Sequence, residues 1–96
     1  MGTGSSQYVR VGEASIAYRV IGTHGPYLLD ITGALPGLLV AEHRFSRRYS
    51  ERVTRVARHV VFDAQGAGKS DPLPSGVAAS VDHQAEQAIA VLESNR

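Results

Sequence analysis

Two short apolar runs, separated by one amphipathic stretch, constrain this chain more than any other feature. Tyr27-Leu-Leu-Asp-Ile31 and His59-Val-Val-Phe62 are nearly continuous in apolar residues. Runs of that length suit strands buried on both faces of a sheet. Between them, Phe45, Tyr49, Val53, Val56 and Ala57 recur at the spacing of one helix face within residues 42–58. A strand, a helix and a second strand in that order imply a right-handed parallel crossover. The chain has 96 residues, 43% of them hydrophobic and 20% charged, which is globular composition. It is expected to form one small domain or part of a larger one.

The flanking segments extend this unit. Tyr8-Val-Arg-Val11 alternates apolar with polar residues, and Ile16, Tyr18 and Val20 share a face of segment 15–21. With Gly12-Glu13-Ala14 as the turn, these read as an amino-terminal β-hairpin. After the second apolar run, Gly66, Gly68, Pro72, Pro74 and Gly76 mark a long loop. Ser80 is a candidate N-cap for a last helix over 80–94, with Asp82 in its first turn. The apolar face of that helix is read as Val81, Ala85, Ala88, Ile89 and Leu92. The expected order is β-β-β-α-β-α, an α/β class, with residues 1–7 as a flexible start and 8–96 as the folded part. Asp30 is the odd member of its strand. A carboxylate inside a sheet is costly unless paired, so it either points out at the strand's end or has a partner.

Composition removes several functions. There is no cysteine, hence no disulfide scaffold, thiol nucleophile or Cys-held metal. The formal charge is +1, too small for the whole chain to act as a polycation. Neither Leu38 to Ala41 nor the five-residue run Ala88 to Leu92 approaches the length of a membrane span. No secretory signal is visible after Met1, so a cytoplasmic protein without membrane contact is the expectation. His24, His43, His59 and His83 lack metal-ligand spacing and read as surface or loop residues. Neither a metal nor a cofactor is expected.

The glycine loop carries the most specific signal. Gly66-Ala-Gly-Lys-Ser70 follows a strand, as a phosphate loop does. Two features oppose a nucleotide site there. The position of the first loop glycine holds Asp63, whose carboxylate would repel phosphate. Pro72 and Pro74 follow at once, where a phosphate loop needs a helix. The wider segment Val60-Val-Phe-Asp-Ala-Gln-Gly-Ala-Gly-Lys-Ser-Asp-Pro72 resembles the strand-and-loop segment F-D-x-x-G-x-G-x-S-D-P of the α/β-hydrolase fold family. Ile16-Ala-Tyr-Arg-Val-Ile-Gly22 is similar to the family's second strand, and Pro26–Ala34 to its third. The resemblance spans about residues 8–94. It is especially close to bacterial hydrolase-like domains, some of them fused to nucleotide cyclases.

That resemblance implies a partial α/β-hydrolase fold, with an amino-terminal hairpin and parallel strands. It implies that Gly33 and Ala34 belong to an oxyanion hole, with the Ala34 N–H as one donor to the charge developing in a transition state. The nucleophile of this family lies in G-x-S-x-G, a strained turn between strand and helix. No serine of this chain has glycine at both positions. Ser70 has Gly68 before it but Pro72 after it. The family's acid and histidine would follow later still. Thr32 stands where the family usually has histidine, and Asp30 where it usually has an apolar residue. The chain is therefore expected to be the amino-terminal part of a hydrolase, inactive alone, taking a small-molecule substrate only within a complete domain. The family's strand order also implies an open edge at 27–31, able to receive a second copy or a complementary chain. Two other classes accompany this reading. One is a non-catalytic interaction protein using that edge or the arginine-rich helix. The other is a P-loop-like nucleotide binder at Gly66–Ser70. Six arginines against Glu42 and Glu51 within 42–58 read as a solvated outer face, and nucleic acid is not the expected partner.

Overall fold

Alternation of side chains along two strands builds the core. In the computed structural model, which describes residues 6–31, 37–78 and 80–95, the chain runs β1 (Gln7–Val11), β2 (Ala14–Ile21), β3 (Tyr27–Asp30), α1 (Gly37–Glu42), α2 (Arg44–Val53), β4 (Arg58–Phe62) and α3 (Val81–Ser94). The sheet order is β1-β2-β4-β3. β1 and β2 form the expected antiparallel hairpin, β2 pairs antiparallel with β4, and β3 lies parallel to β4. The crossover between the two apolar runs is thus present.

Each face of the sheet has its own core. Ile16 and Tyr18 of β2 join Val60 and Phe62 of β4 against Ala88 and Val91 of α3. On the other face, Ala17 and Ile21 join Val61 beneath Leu38 and Ala41 of α1. The period-2 alternation of a strand places these sets on opposite sides. Gly37 opens α1 where the helix meets the sheet. A Cβ there would stand 2.1 Å from the Phe62 carbonyl oxygen.

The helix expected over 42–58 is shorter, running as α2 over Arg44–Val53, and an unexpected helix, α1, precedes it. His43 is extended, at φ −68 and ψ 139, and breaks the path between them. Its Nδ1 accepts the Phe45 N–H at 3.4 Å and caps α2. The short run Leu38–Ala41, too brief to stand out by periodicity, lies in α1, where Leu38 and Ala41 are buried and Leu39 is exposed. The order is therefore β-β-β-α-α-β-α. The apolar face expected within 42–58 is also corrected in part, although Ala57 is buried as expected. Phe45 is 62% exposed and Val56 71%, while Ser50 is buried. The helix turns inward the side that lets Ser50 meet β4. Likewise in α3, Val81 and Ile89 are exposed, and Gln87 and Val91 are buried. Gln87 faces inward because its amide oxygen accepts the Gln65 N–H at 2.9 Å. The cap is as expected, with Ser80 Oγ accepting the His83 N–H at 3.1 Å.

β3 is half-buried rather than enclosed on both faces, because among the described residues it pairs with β4 alone. Leu28 and Ile31 remain exposed. Of the expected flexible start, residues 1–5 lie outside the described residues.

The core assignment has a direct test. Ile16→Ala should lower stability by about 2–5 kcal/mol, as for a fully buried aliphatic side chain. Val56→Ala, in an exposed position, should change it by less than about 0.5 kcal/mol. Urea unfolding of the two variants checks both values.

Candidate functional site

In a parallel α/β sheet, ligands bind beyond the carboxyl ends of the strands. Here that end lies after Asp30 and Phe62, between the segment following β3 and the loop following β4. The expected oxyanion residues Gly33 and Ala34 lie outside the described residues, as does Thr32. Their neighbours on either side are fixed. Ile31 leaves the sheet edge, and Gly37 rests on the end of β4.

The loop after β4 is a closed set of hydrogen bonds centred on Asp63, which is 1% exposed. Its Oδ1 accepts the Leu38 N–H at 2.9 Å and its Oδ2 the Lys69 N–H at 2.8 Å. Ser70 donates its hydroxyl to the Asp63 carbonyl and accepts the Ala17 N–H at 2.8 Å. Asp71 Oδ2 accepts the Ser15 N–H at 2.9 Å, and the Asp71 carbonyl accepts the Gly66 N–H at 2.8 Å. Gly66 and Gly68 have φ of +92° and +51°, the left-handed region that glycine enters freely. These residues are structural, as their polar groups are used within the loop.

That geometry is not a phosphate cradle. The Lys69 N–H, which would face a phosphate, is taken by a carboxylate. Among the described residues, no helix follows Ser70 until α3 begins at Val81, so the dipole that would hold an anion is not there.

The structure brings together three residues that the sequence left apart. His59 is buried in β4, not at the surface. Its Nδ1 lies 2.8 Å from Ser50 Oγ and its Nε2 2.5 Å from Asp30 Oδ2. The partner of Asp30 is therefore His59. Serine, histidine and aspartate stand in a row, but Ser50 is 4% exposed and does not line the adjoining cavity of about 230 Å³. Its hydroxyl is enclosed and bonded to His59, and the row ties α2 and β3 to β4. The register contains the signal for this grouping. His59 shares a face of β4 with Val61, and Asp30 stands opposite Val61 in β3. The other histidines do different work. His24 Nε2 lies 3.1 Å from the Arg55 carbonyl, His43 caps α2, and His83 is exposed.

Asp30 also acts on Tyr49. Its negative charge, with burial and a hydrogen bond to Asp30 as lesser causes, holds the Tyr49 phenol above its ordinary value of 10.0. A raised folded value means that this contribution to stability is complete below pH 10 and fades as pH rises through the folded value. Asp30→Asn should lower the Tyr49 ionisation toward 10, read from phenolate absorbance against a Tyr49→Phe reference.

No protein-family model matches the chain, and no curated protein matches it. Solved structures do. A bacterial membrane phospholipase A is 28% identical with a TM-score of 0.73, the match covering 97% of this chain and 28% of that one. The proline iminopeptidase-related protein from Thermus thermophilus is 26% identical, with a TM-score of 0.71 and coverage of 94% and 31%. An α/β-hydrolase fold protein from Burkholderia ambifaria is 21% identical, with a TM-score of 0.65 and coverage of 92% and 30%. The chain thus spans less than a third of the length of each of these structures. Four strands in the order β1-β2-β4-β3, with helices on both faces, form a partial α/β-hydrolase fold.

Proposed function

We propose that the chain is the amino-terminal scaffold of an α/β-fold hydrolase and has no turnover of its own. The free edge of β3 carries this reading. β3 is parallel to β4 and unpaired on its other side among the described residues. Exposed Leu28, Ile31, Phe45 and Tyr49 lie along β3, its end and α2. A further strand and a covering helix would remove that apolar surface from water, at roughly 25 cal/mol per Å² buried. In the hydrolases that this fold resembles, the next strand carries the nucleophile.

In this reading, Gly33 and Ala34 contribute an oxyanion-hole donor at the carboxyl end of β3. The Ala34 N–H would face the oxygen on which negative charge develops when an acyl carbon is attacked. The Asp63 loop supports that role by holding Leu38, four residues on. The attacking serine, its histidine and its acid are not supplied by Ser50, His59 and Asp30, because the Ser50 hydroxyl is enclosed. Until a complementary strand arrives, the edge is open to a second copy of the chain.

Three measurements on the chain test this together. A fluorophosphonate probe, which labels activated serines, should leave the intact mass unchanged, and p-nitrophenyl butyrate should hydrolyse no faster than in buffer. Light scattering should find self-association that Leu28→Lys, a charge on the strand edge, reduces. A labelled serine with saturable ester turnover would overturn the lack of activity. A monomer with sharp cooperative melting would overturn the open edge.

A further inference from the structure

The α1 face of the sheet holds a cation whose surroundings do not satisfy it. Arg19 lies in the middle of β2 and is 5% exposed. A guanidinium does not lose its proton in a protein, so a full positive charge sits inside the fold and requires close acceptors. Its contacts are long. Nη1 reaches Glu42 Oε1 at 3.4 Å, and Nη2 reaches the Ser6 hydroxyl at 3.4 Å. Nε is buried and has no hydrogen-bond partner among the described residues. Charge-assisted bonds of a guanidinium normally measure about 2.7–2.9 Å.

A second cation converges on the same point. Lys69 Nζ lies 3.4 Å from Ser6 Oγ. Two positive groups thus approach one neutral hydroxyl, and neither is at the distance of a strong bond. The nearest internal anions cannot serve. Asp63 has both oxygens engaged with the Leu38 and Lys69 N–H groups, and Glu42 touches only Nη1. Arg19, Lys69, Leu38, Leu39 and Gly68 line a cavity of about 180 Å³ between β2, α1 and the loop. The Nε and Nη2 groups form one edge of the guanidinium, the fork that matches the two oxygens of a carboxylate.

We infer that this cavity binds the carboxylate of a small organic acid. Arg19 holds it side-on through Nε and Nη2, Lys69 reaches it from the opposite side, and the Ser6 hydroxyl is displaced. The walls select the class of anion. Glu42 and Asp63 both border the cavity, so a phosphate dianion meets like charge where a carboxylate carries only one. Leu38 and Leu39 offer an apolar surface to a short aliphatic chain. The site stands independently of the hydrolase reading, since it uses none of the residues proposed for acyl chemistry.

Nuclear magnetic resonance titration of the chain with butyrate tests it. Butyramide is the uncharged isostere, and inorganic phosphate is the competing oxyanion. Butyrate should shift the amides of Ser6, Gly68 and Lys69 saturably, butyramide should not, and phosphate should bind more weakly than butyrate. Lys69→Gln should weaken butyrate by about tenfold, the scale of one charge-assisted hydrogen bond. It should fold normally, because Asp63 holds the backbone of residue 69 rather than its side chain. Arg19→Lys, which keeps the charge and removes the fork, should weaken binding too. Absence of a saturable butyrate response, an equal response to butyramide, phosphate binding as tightly, or unchanged affinity in Lys69→Gln would each overturn the assignment.

Discussion

The carboxylate of Asp63 is the interaction on which the rest of the structure depends. It sits where β4 ends, almost without exposure, and its two oxygens reach in two directions. One holds the first turn of α1, and the other holds the glycine loop. An ionised carboxylate buried without donors would cost several kcal/mol or more. With two backbone donors it becomes a fixed point instead. Gly37 can rest on Phe62 because Leu38 is held there, and α1 can then cover Val61 and Ala17. Ser70 and Asp71 carry the same order across to β2. One side chain at the end of one strand thus links the hairpin, the crossover and the loop.

The elements that depend on nearby residues are legible in the sequence. The hairpin, both apolar strands, the capped last helix and the long loop marked by Gly66 and Gly68 follow from alternation, capping and turn chemistry. What escapes is set by tertiary contact. Leu38–Ala41 offers too few residues for a helical period to emerge, and α1 exists because Gly37 permits close approach to Phe62. Periodicity misplaces the inner face of α2 because it reports which residues are apolar, not which side meets the sheet. Ser50 faces inward because His59 offers it a partner. His59 in turn reads as a surface residue until the parallel register brings Asp30 beside it. Gly33 and Ala34 are reached only through resemblance, since no pattern around them distinguishes an oxyanion donor from a simple turn.

The two faces of the sheet differ in character. The face beneath α3 is apolar, from Ile16 through Phe62. The face beneath α1 and α2 mixes Ala17, Ile21 and Val61 with Arg19, His59 and Asp30. Hydrophobic burial dominates the first, with the Gln87–Gln65 and Tyr18–Gln7 bonds at its margins. The second is held by specific polar contacts, of which the His59 row is well satisfied and the Arg19 cluster is not. Polar groups in a low-dielectric interior fix geometry when paired and leave a capacity for binding when they are not. That difference is why the cavity with a candidate ligand lies on the face of α1.

The separation of bonded residues along the chain also orders its assembly in time. Tyr18 donates to Gln7, only 11 residues away, whereas Asp71 meets Ser15 across 56 residues. Closing a longer loop costs more entropy, and contacts between distant residues form more slowly. On a ribosome, the β1–β2 hairpin can close long before residue 71 has been synthesised. Until then, the inner edge of β2 has no β4 beside it and the Asp63 clasp cannot form. The nascent hairpin therefore waits with a bare strand until β4 has been made, and the clasp can close only after residues 63–71 have followed.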